Sequence, residues 1–223
     1  MSLRSNQYSK KFSCQVMVTQ EFRDEIKIPF VNGTEYRLLE ILDRLGALTL
    51  HPSRRVTSIY FDTDDLQLYS QSVEGVLPRS KTRLRTYSGF SSEAKIHLGA
   101  EFVLEIKSSH SNGDTKKITP CPNPFNLIEF GYFNGQLNLF AKSMVSYRRM
   151  YMSIHDVRLT VDTDIEFSSD LKNFKPQVKS EQYVLEIKGS DPKLIGYLVN
   201  ILGFETRRFS KYCSSIDATR VNL

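Results

Sequence analysis

The string EFVLEIK (101–107) alternates strictly, with Phe102, Leu104 and Ile106 on one parity and Glu101, Val103, Glu105 and Lys107 on the other. A near copy, QYVLEIK (182–188), sets Tyr183, Leu185 and Ile187 against Gln182, Val184, Glu186 and Lys188. In VRLTVDTDIEF (157–167), Leu159, Val161, Ile165 and Phe167 oppose Arg158, Thr160, Asp162, Asp164 and Glu166. Glu25 and Lys27 likewise alternate with Ile26 and Ile28. Side chains on a strand point to opposite faces in turn, so each segment is a strand with one apolar face and one face of mixed charge. A chain rich in such strands must cover the apolar faces and accommodate the charged ones.

PRSKTRLRTYSG (78–89) adds a sharper constraint. Lys81, Arg83 and Arg85 alternate with Thr82, Leu84 and Thr86, which stacks three cations on one face. Neighbours in that row sit about 6 to 7 Å apart and repel by about 2 kcal/mol at an effective dielectric of about 20. Two architectures accommodate this. In one, a one-sided sheet turns its charges to water, where cross-strand pairs contribute a few tenths of a kcal/mol each. In the other, an antiparallel barrel of about eight strands encloses a charged lumen, with helices packed on the apolar outside. Amphipathic segments that need an apolar surface to pack on favour the barrel. Enclosed charges cost several kcal/mol each unless they are paired or meet a ligand. A surplus of cations therefore asks for a polyanion, and the carboxylates ask for a divalent metal arriving with it.

The rest of the chain fits one α+β domain. Its 223 residues carry 30 basic and 25 acidic side chains, a net charge of +5 compatible with an anionic partner. Cys14, Cys121 and Cys213 are scattered without a CxxC pair, which argues against a zinc knuckle or disulfide framework and for a reducing, cytoplasmic setting. The N-terminus lacks a signal-peptide core, and no run of apolar residues reaches membrane-spanning length. Residues 1–20 read as a polar arm or edge element, and 21–223 as a single domain. Strands are predicted at 22–30, 55–63, 77–89, 101–109, 115–120, 143–154, 157–167 and 181–189. Helices follow Thr34 as a cap, Thr63 or Asp64 as a cap, and Asp191 as a cap with Pro192 behind it; a last short helix begins at Ser210. SSEAKIHLGA (91–100) reads as a loop, and 125–143 as helical or irregular.

Eight short landmarks then occur in order: FRDEIK, SIYFDTDDLQLY, KTRLR, VLEIK with a following TKK, SYRRMYM, VRLTVD, a second VLEIK, and RRFSKY. Together they resemble the VTC domain of the triphosphate tunnel metalloenzymes, the catalytic domain of polyphosphate polymerases, over roughly residues 20 to 217. The resemblance implies a tunnel whose catalytic cations are Lys27, Arg83, Arg85, Arg149, Arg158 and Lys211. It implies phosphate contacts from Lys81, Lys107, Lys116 or Lys117, Tyr147, Lys188, Arg208 and Ser210. It implies a Mn²⁺ or Mg²⁺ ion on Glu186, with Glu25 or Glu105 assisting and Asp162 and Asp164 as further candidates. Arg208 stands where the family more usually has lysine, and the two differ in fork geometry. Tunnel hydrolases typically show ExExK on the first strand. Here those positions read Arg23, Glu25 and Lys27, which favours the polymerase branch.

The implied activity moves the γ-phosphoryl of ATP onto a growing inorganic polyphosphate chain, a reaction that needs positioning and charge neutralisation more than covalent chemistry. A tunnel triphosphatase acting on inorganic or nucleoside triphosphate, and a non-catalytic polyphosphate binder, are the alternatives. The expected partners are ATP and polyphosphate or triphosphate, and a membrane protein that receives the product is compatible with them. Nucleic acid is disfavoured, because the cations alternate with carboxylates instead of forming an exposed, aromatic-studded stripe. No GxxxxGK[ST] loop is present. His51, His97, His110 and His155 lack metal-ligand spacing and read as surface or hairpin residues. Cys213 reads as a small buried side chain, Asp62, Asp64 and Asp65 as helix-capping residues, and Tyr60 and Phe61 as core or tunnel wall.

Overall fold

The computed structural model describes residues 17–21, 24–88, 101–171 and 176–220. Most of the expected arm, with Lys10, Lys11 and Cys14, lies outside them, as do Arg23, the loop expected over 91–100, and His97. In chain order the elements are β1 (Met17–Glu21), β2 (Asp24–Val31), α1 (Glu35–Arg44), β3 (Leu48–Asp62), α2 (Gln67–Glu74), β4 (Arg79–Ser88), β5 (Phe102–His110) and β6 (Gly113–Cys121). They continue with α3 (Pro124–Phe130), β7 (Tyr132–Phe133), β8 (Asn138–Ile154), β9 (Val157–Ser168), β10 (Val178–Lys179), β11 (Gln182–Gly189), α4 (Pro192–Leu202) and α5 (Lys211–Arg220).

The main antiparallel path runs β1-β6-β5-β4-β3-β8-β9-β11-β2, with β7 alongside β8 and β10 alongside β9. Its edge strands β1 and β2 are consecutive in sequence, and the sheet curls until its two ends face each other. Lys107 on β5 and Glu25 on β2, with five strands between them along the path, form an ion pair at 3.4 Å across the gap. This barrel-like tunnel has eleven described strands, against the eight or so expected. The additions are the edge strand β1 and the two-residue β7 and β10, too short to leave a periodic signal. Residues 138–143, expected to be helical or irregular, begin the 17-residue strand β8.

Burial follows the alternation. Leu38 and Leu42 of α1 and Ile195, Leu198 and Leu202 of α4 pack on Ile28, Leu159, Val161, Leu185 and Ile187, covering the outside of β2, β11 and β9. Leu68 of α2 and Leu127 and Ile128 of α3 meet Ile59, Phe61, Leu84 and Leu104 on the outside of β3, β4 and β5. The exception to helices on the outside is α5. Its Tyr212 and Ile216 pack on Val56, Tyr60, Val145, Tyr147 and Val184, which share the parity of the charged residues. The last helix therefore fills one end of the tunnel.

A bulge makes room for it. The ladder between β8 and β9 slips between Ser146 and Arg148, and Asp164 takes a left-handed φ of 48°. An extra residue in one strand flips the faces beyond it. Leu159 and Val161 accordingly join the outer core while Ile165 and Phe167 join the inner one, although all four were expected on one face.

The helix starts follow local chemistry. Asp191 accepts from the N–H groups of Lys193 (2.8 Å) and Leu194 (3.3 Å), as expected of a cap. Thr34 instead donates its hydroxyl to the Val31 carbonyl, and Glu35 accepts from the Gly33 N–H. At α2 the free N–H groups go to the Thr63 hydroxyl (from Gln67) and to the buried Asp62 carboxylate (from Leu68 and Tyr69, both 2.8 Å). Asp64, the other candidate cap, pairs with Lys142 at 2.6 Å.

Candidate functional site

Inside the curl lies a cavity of about 510 Å³, within the range of small-ligand sites. Thirteen lysine and arginine side chains line it against three carboxylates, Glu25, Asp114 and Glu186. The strand ladder explains how they meet. Arg83 lies beside Tyr60 on β3 and Glu105 on β5, and Lys81 lies beside Lys107, itself beside Lys116. On the opposite wall Glu186 lies beside Lys27 and Thr160, and Lys188 beside Glu25 and Arg158.

Of the residues expected at the site, Lys27, Lys81, Arg83, Arg85, Lys107, Lys116, Tyr147, Arg149, Arg158, Glu186, Lys188, Arg208, Ser210, Lys211 and Glu25 all line this cavity. Lys117, the alternative to Lys116, points outward and is exposed. Glu105 is placed differently. It is buried behind the lining, with its oxygens held by Arg83 at 2.6 Å, Lys116 at 3.0 Å and Arg85 at 3.5 Å. Asp162 is also behind the wall, gripped through both oxygens by Arg149 and by Lys211 at 2.5 Å. Asp164 sits in the bulge and reaches Tyr183 and Lys179, away from the cavity.

The RRFSKY segment is stitched across the tunnel end. Lys27 donates its ammonium to the Phe209 carbonyl at 3.3 Å, and the Arg207 N–H donates to the Lys27 carbonyl at 3.2 Å. Lys81 donates to the Ser210 hydroxyl at 3.0 Å, and that hydroxyl also accepts from the Cys213 N–H at the start of α5. Arg208 donates to the Ser72 carbonyl, and to that of Val73 at 3.4 Å, so it caps the negative end of α2 as well as lining the cavity. Gly75 makes room for it: a Cβ there would stand 2.6 Å from an Arg208 nitrogen. Tyr147 is buried in the wall, accepting from Arg85 at 3.3 Å, with the Lys211 ammonium 4.8 Å from its ring centre.

Electrostatics follow from this crowding. Burial pushes the Glu25 carboxyl up, but Lys27, Lys188 and Lys107 outweigh it and hold the acid well below the carboxylate range. Burial likewise opposes Glu186, and Arg149, Lys211, Lys27 and Lys188 keep it ionised. Glu105 is drawn down against its burial by Arg83, Arg85 and Lys116. Lys81 moves the other way: burial, with Lys27 and Arg79 adding like charge, brings it down to about 8. Burial lifts the Tyr60 phenol, yet Arg83 and Arg85 bring it below its ordinary value.

Among the described residues no group of three metal-ligating side chains converges. Glu186 and Glu25 both enter the cavity, close enough that Glu186 raises the Glu25 carboxyl electrostatically. The cation contacts of Glu186 are long, 3.6 to 4.0 Å, so its oxygens keep coordinating capacity that Glu105 has spent. Two carboxylates plus substrate oxygens suit a Mg²⁺- or Mn²⁺-type ion, which usually keeps few protein ligands.

Several lining residues were not singled out by sequence. Arg79 and Tyr87 extend the row of Lys81, Arg83 and Arg85 at the same parity, and Tyr151 continues that of Tyr147 and Arg149. Parity alone could have found them. Asp114 follows the same rule, two residues before Lys116 on β6; Arg207 carried no such signal, since a loop places it. His51, His110 and His155 are exposed, and Cys213 is a half-buried free thiol. No helix among the described residues is long and apolar enough to cross a membrane.

The same fold occurs in solved structures. A candidate adenylate cyclase from Bacillus halodurans superposes with a TM-score of 0.54 at 16% identity, over 84% of this chain and 95% of its own. HpAC1 from Hippeastrum, in which triphosphatase activity is dominant, superposes at 0.53 with 17% identity, over 87% and 95%. A protein from Pyrococcus horikoshii gives 0.52 and 16%, over 85% and 99%. The sequence matches no curated protein. The model of the VTC domain matches residues 6–130 and 126–220, a span that holds every strand of the tunnel and the helix that fills its end. The chain belongs to the VTC domain family.

Proposed function

We propose that the protein is a polyphosphate polymerase-like phosphoryl transferase. The observation that carries this reading is the charge imbalance of the tunnel cavity: thirteen cations against three carboxylates, all three bound to lysine or arginine. Such a lining stabilises several closely spaced phosphates at once and would be costly without them.

The direction of the reaction is argued from the acids. Hydrolysis calls for a group that takes a proton from water. Glu25 and Glu186 are held far below the range of an effective base, and Glu105 is sealed into ion pairs. A phosphate oxygen, by contrast, is already anionic and needs no base. In the proposed step a terminal oxygen of phosphate or of the chain attacks the γ-phosphorus of ATP. The new P–O bond forms as the bond to the β–γ bridging oxygen breaks, the electron pair leaves with ADP, and the chain gains one phosphate.

Arg83, Arg85 and Arg149 would clamp the non-bridging oxygens through their forks, while Lys27 and Lys188 neutralise charge on the opposite wall and Lys211 does so from the start of α5. Arg149 and Lys211 are oriented for this by Asp162, and Arg83 by Glu105. Glu186 with Glu25 would hold the divalent ion, which supplies further charge neutralisation on the phosphates. Lys81, Lys107, Lys116, Arg158, Arg208 and Ser210 extend the binding path. The test is to incubate the purified protein with ATP and Mn²⁺ and resolve the products on a gel. A ladder of phosphate polymers is expected; free phosphate alone would favour the triphosphatase reading, and no turnover a binding role.

A further inference from the structure

The two ends of the cavity differ in chemistry. At one end, where α5 and the RRFSKY segment sit, Arg208 donates to carbonyls of Ser72 and Val73, and Arg79 to those of Gly75 and Val76, so cations line the side beside α2. At the other, two walls run out of cations and finish in tyrosine. The lumen row of β4 reads Lys81, Arg83, Arg85, Tyr87, and that of β8 reads Tyr147, Arg149, Tyr151; both last tyrosines line the cavity. Arg79 and Tyr87 are eight residues apart on one strand, about 26 Å, so the aromatic and cationic ends are well separated.

Tyr87 is 44% exposed, a large ring at the mouth of a charged tunnel, and the guanidinium of Arg85 lies 6.0 Å from its centre. Tyr151 is half-buried, with its cross-strand neighbour His51 edge-on at 5.1 Å and the Arg54 guanidinium 6.0 Å from its ring centre. Neither phenol has a hydrogen-bond role in holding the described phosphate-binding residues in place. An inorganic phosphate chain has no use for an aromatic face. A nucleobase does: stacking on aromatic side chains tolerates any base, because every base has a π-face, and arginine adds a cation–π contribution.

We propose that Tyr87 and Tyr151 form a nucleoside subsite, stacking the base of a nucleoside triphosphate whose phosphates enter the row at Arg85 and Arg149. The inference rests on the phosphoryl-transfer reading and adds the identity and orientation of the donor. The step from Arg85 to Tyr87, about 7 Å along one face, is one that a ribose can span. The base then stays at the aromatic mouth, and the γ-phosphate lies deepest, toward the side lined by Arg79 and Arg208. A subsite of this kind separates nucleoside triphosphates from bare tripolyphosphate without distinguishing ATP from GTP.

Calorimetric titration of the protein with ATP and with tripolyphosphate, each with Mn²⁺, tests it. Tyr87→Ala and Tyr151→Ala should each weaken ATP by about tenfold and leave tripolyphosphate unchanged, and the Phe variants should keep both affinities. Alanine variants that leave ATP unchanged, or weaken both ligands alike, would overturn the subsite. So would Phe variants as weak as Ala, since that assigns the hydroxyls to phosphate contacts. Tyr87→Leu and Tyr151→Leu, which keep bulk but not a π-face, serve where an alanine variant fails to fold. Failure of the unaltered protein to bind tripolyphosphate would instead count against the phosphoryl-transfer reading itself.

Discussion

Arg149 donates two hydrogen bonds to Asp162, Nε to Oδ1 at 2.6 Å and Nη2 to Oδ2 at 2.7 Å, beneath the cavity wall. Asp162 has no exposed surface, and Lys211 reaches the same carboxylate at 2.5 Å. One buried anion thus orients two cations supplied by different elements. Removing one member of such a pair leaves buried charge uncompensated. Asp162→Ala should cost about 3–5 kcal/mol, read as a lowered midpoint in urea unfolding. Asp162→Asn, which keeps the shape, should lose less stability but still reduce turnover.

Arg85 tests the fork geometry. Its Nε donates to Ser58 at 3.1 Å and its Nη2 to Tyr147 at 3.3 Å, so the guanidinium is held at a fixed angle. Lysine at this position keeps the charge but cannot reproduce two donors in one plane. Arg85→Lys and Arg85→Ala should both lower kcat by about 100-fold or more, with near-native circular dichroism. A Lys variant at wild-type rate would reduce the role to charge alone.

Lys81 predicts a pH dependence. Burial brings its pKa down to about 8, so the folded protein carries an ammonium below that pH and an amine above it. A bound phosphate chain favours the ammonium and raises that pKa. Affinity for tripolyphosphate is therefore greatest below pH 8 and falls as pH rises through it. Stability of the ligand-free protein runs the other way. The unfolded chain keeps this proton up to about pH 10.4, so between about pH 8 and 10.4 this one group makes the folded state more stable as pH rises. Binding isotherms from pH 7 to 10 check the first trend, and Lys81→Gln should flatten it.

Glu186 separates metal binding from anion binding. Its carboxylate lies 3.6 Å from Arg149 and 3.7 Å from Lys211 and offsets both charges. Glu186→Gln should bind tripolyphosphate more tightly in EDTA, because two cations lose their counter-charge. The same variant should need a higher Mn²⁺ concentration for half-maximal turnover. An unchanged Mn²⁺ titration would remove Glu186 from the ion's ligands.

The strands and their charged faces were legible because alternation is local: EFVLEIK and QYVLEIK each show both faces within seven residues. The gathering of Lys27, Arg83, Arg149, Glu186 and Lys211 into one cavity came through family order, since no local pattern tells that β2 and β5 meet across the gap. Three features were hidden for physical reasons. The flip at Asp164 is a backbone event, and Leu159, Val161, Ile165 and Phe167 keep even spacing, so periodicity placed Ile165 and Phe167 on the wrong face. The position of α5 inside the barrel depends on Tyr60 and Tyr147 offering an apolar floor among charges, which composition cannot show. Glu105 was a candidate ligand as the resemblance's assisting carboxylate, yet the forks of Arg83 and Arg85 hold it, at 2.6 and 3.5 Å.

The most direct measurement is a crystal structure of the protein grown with tripolyphosphate and Mn²⁺. The account predicts a linear anion inside the tunnel, its oxygens within hydrogen-bond distance of Arg83, Arg85, Arg149 and Lys211, and metal density against Glu186. Phosphates confined to the outer surface, with those four side chains still paired only to Glu105, Asp162 and Glu186, would contradict it.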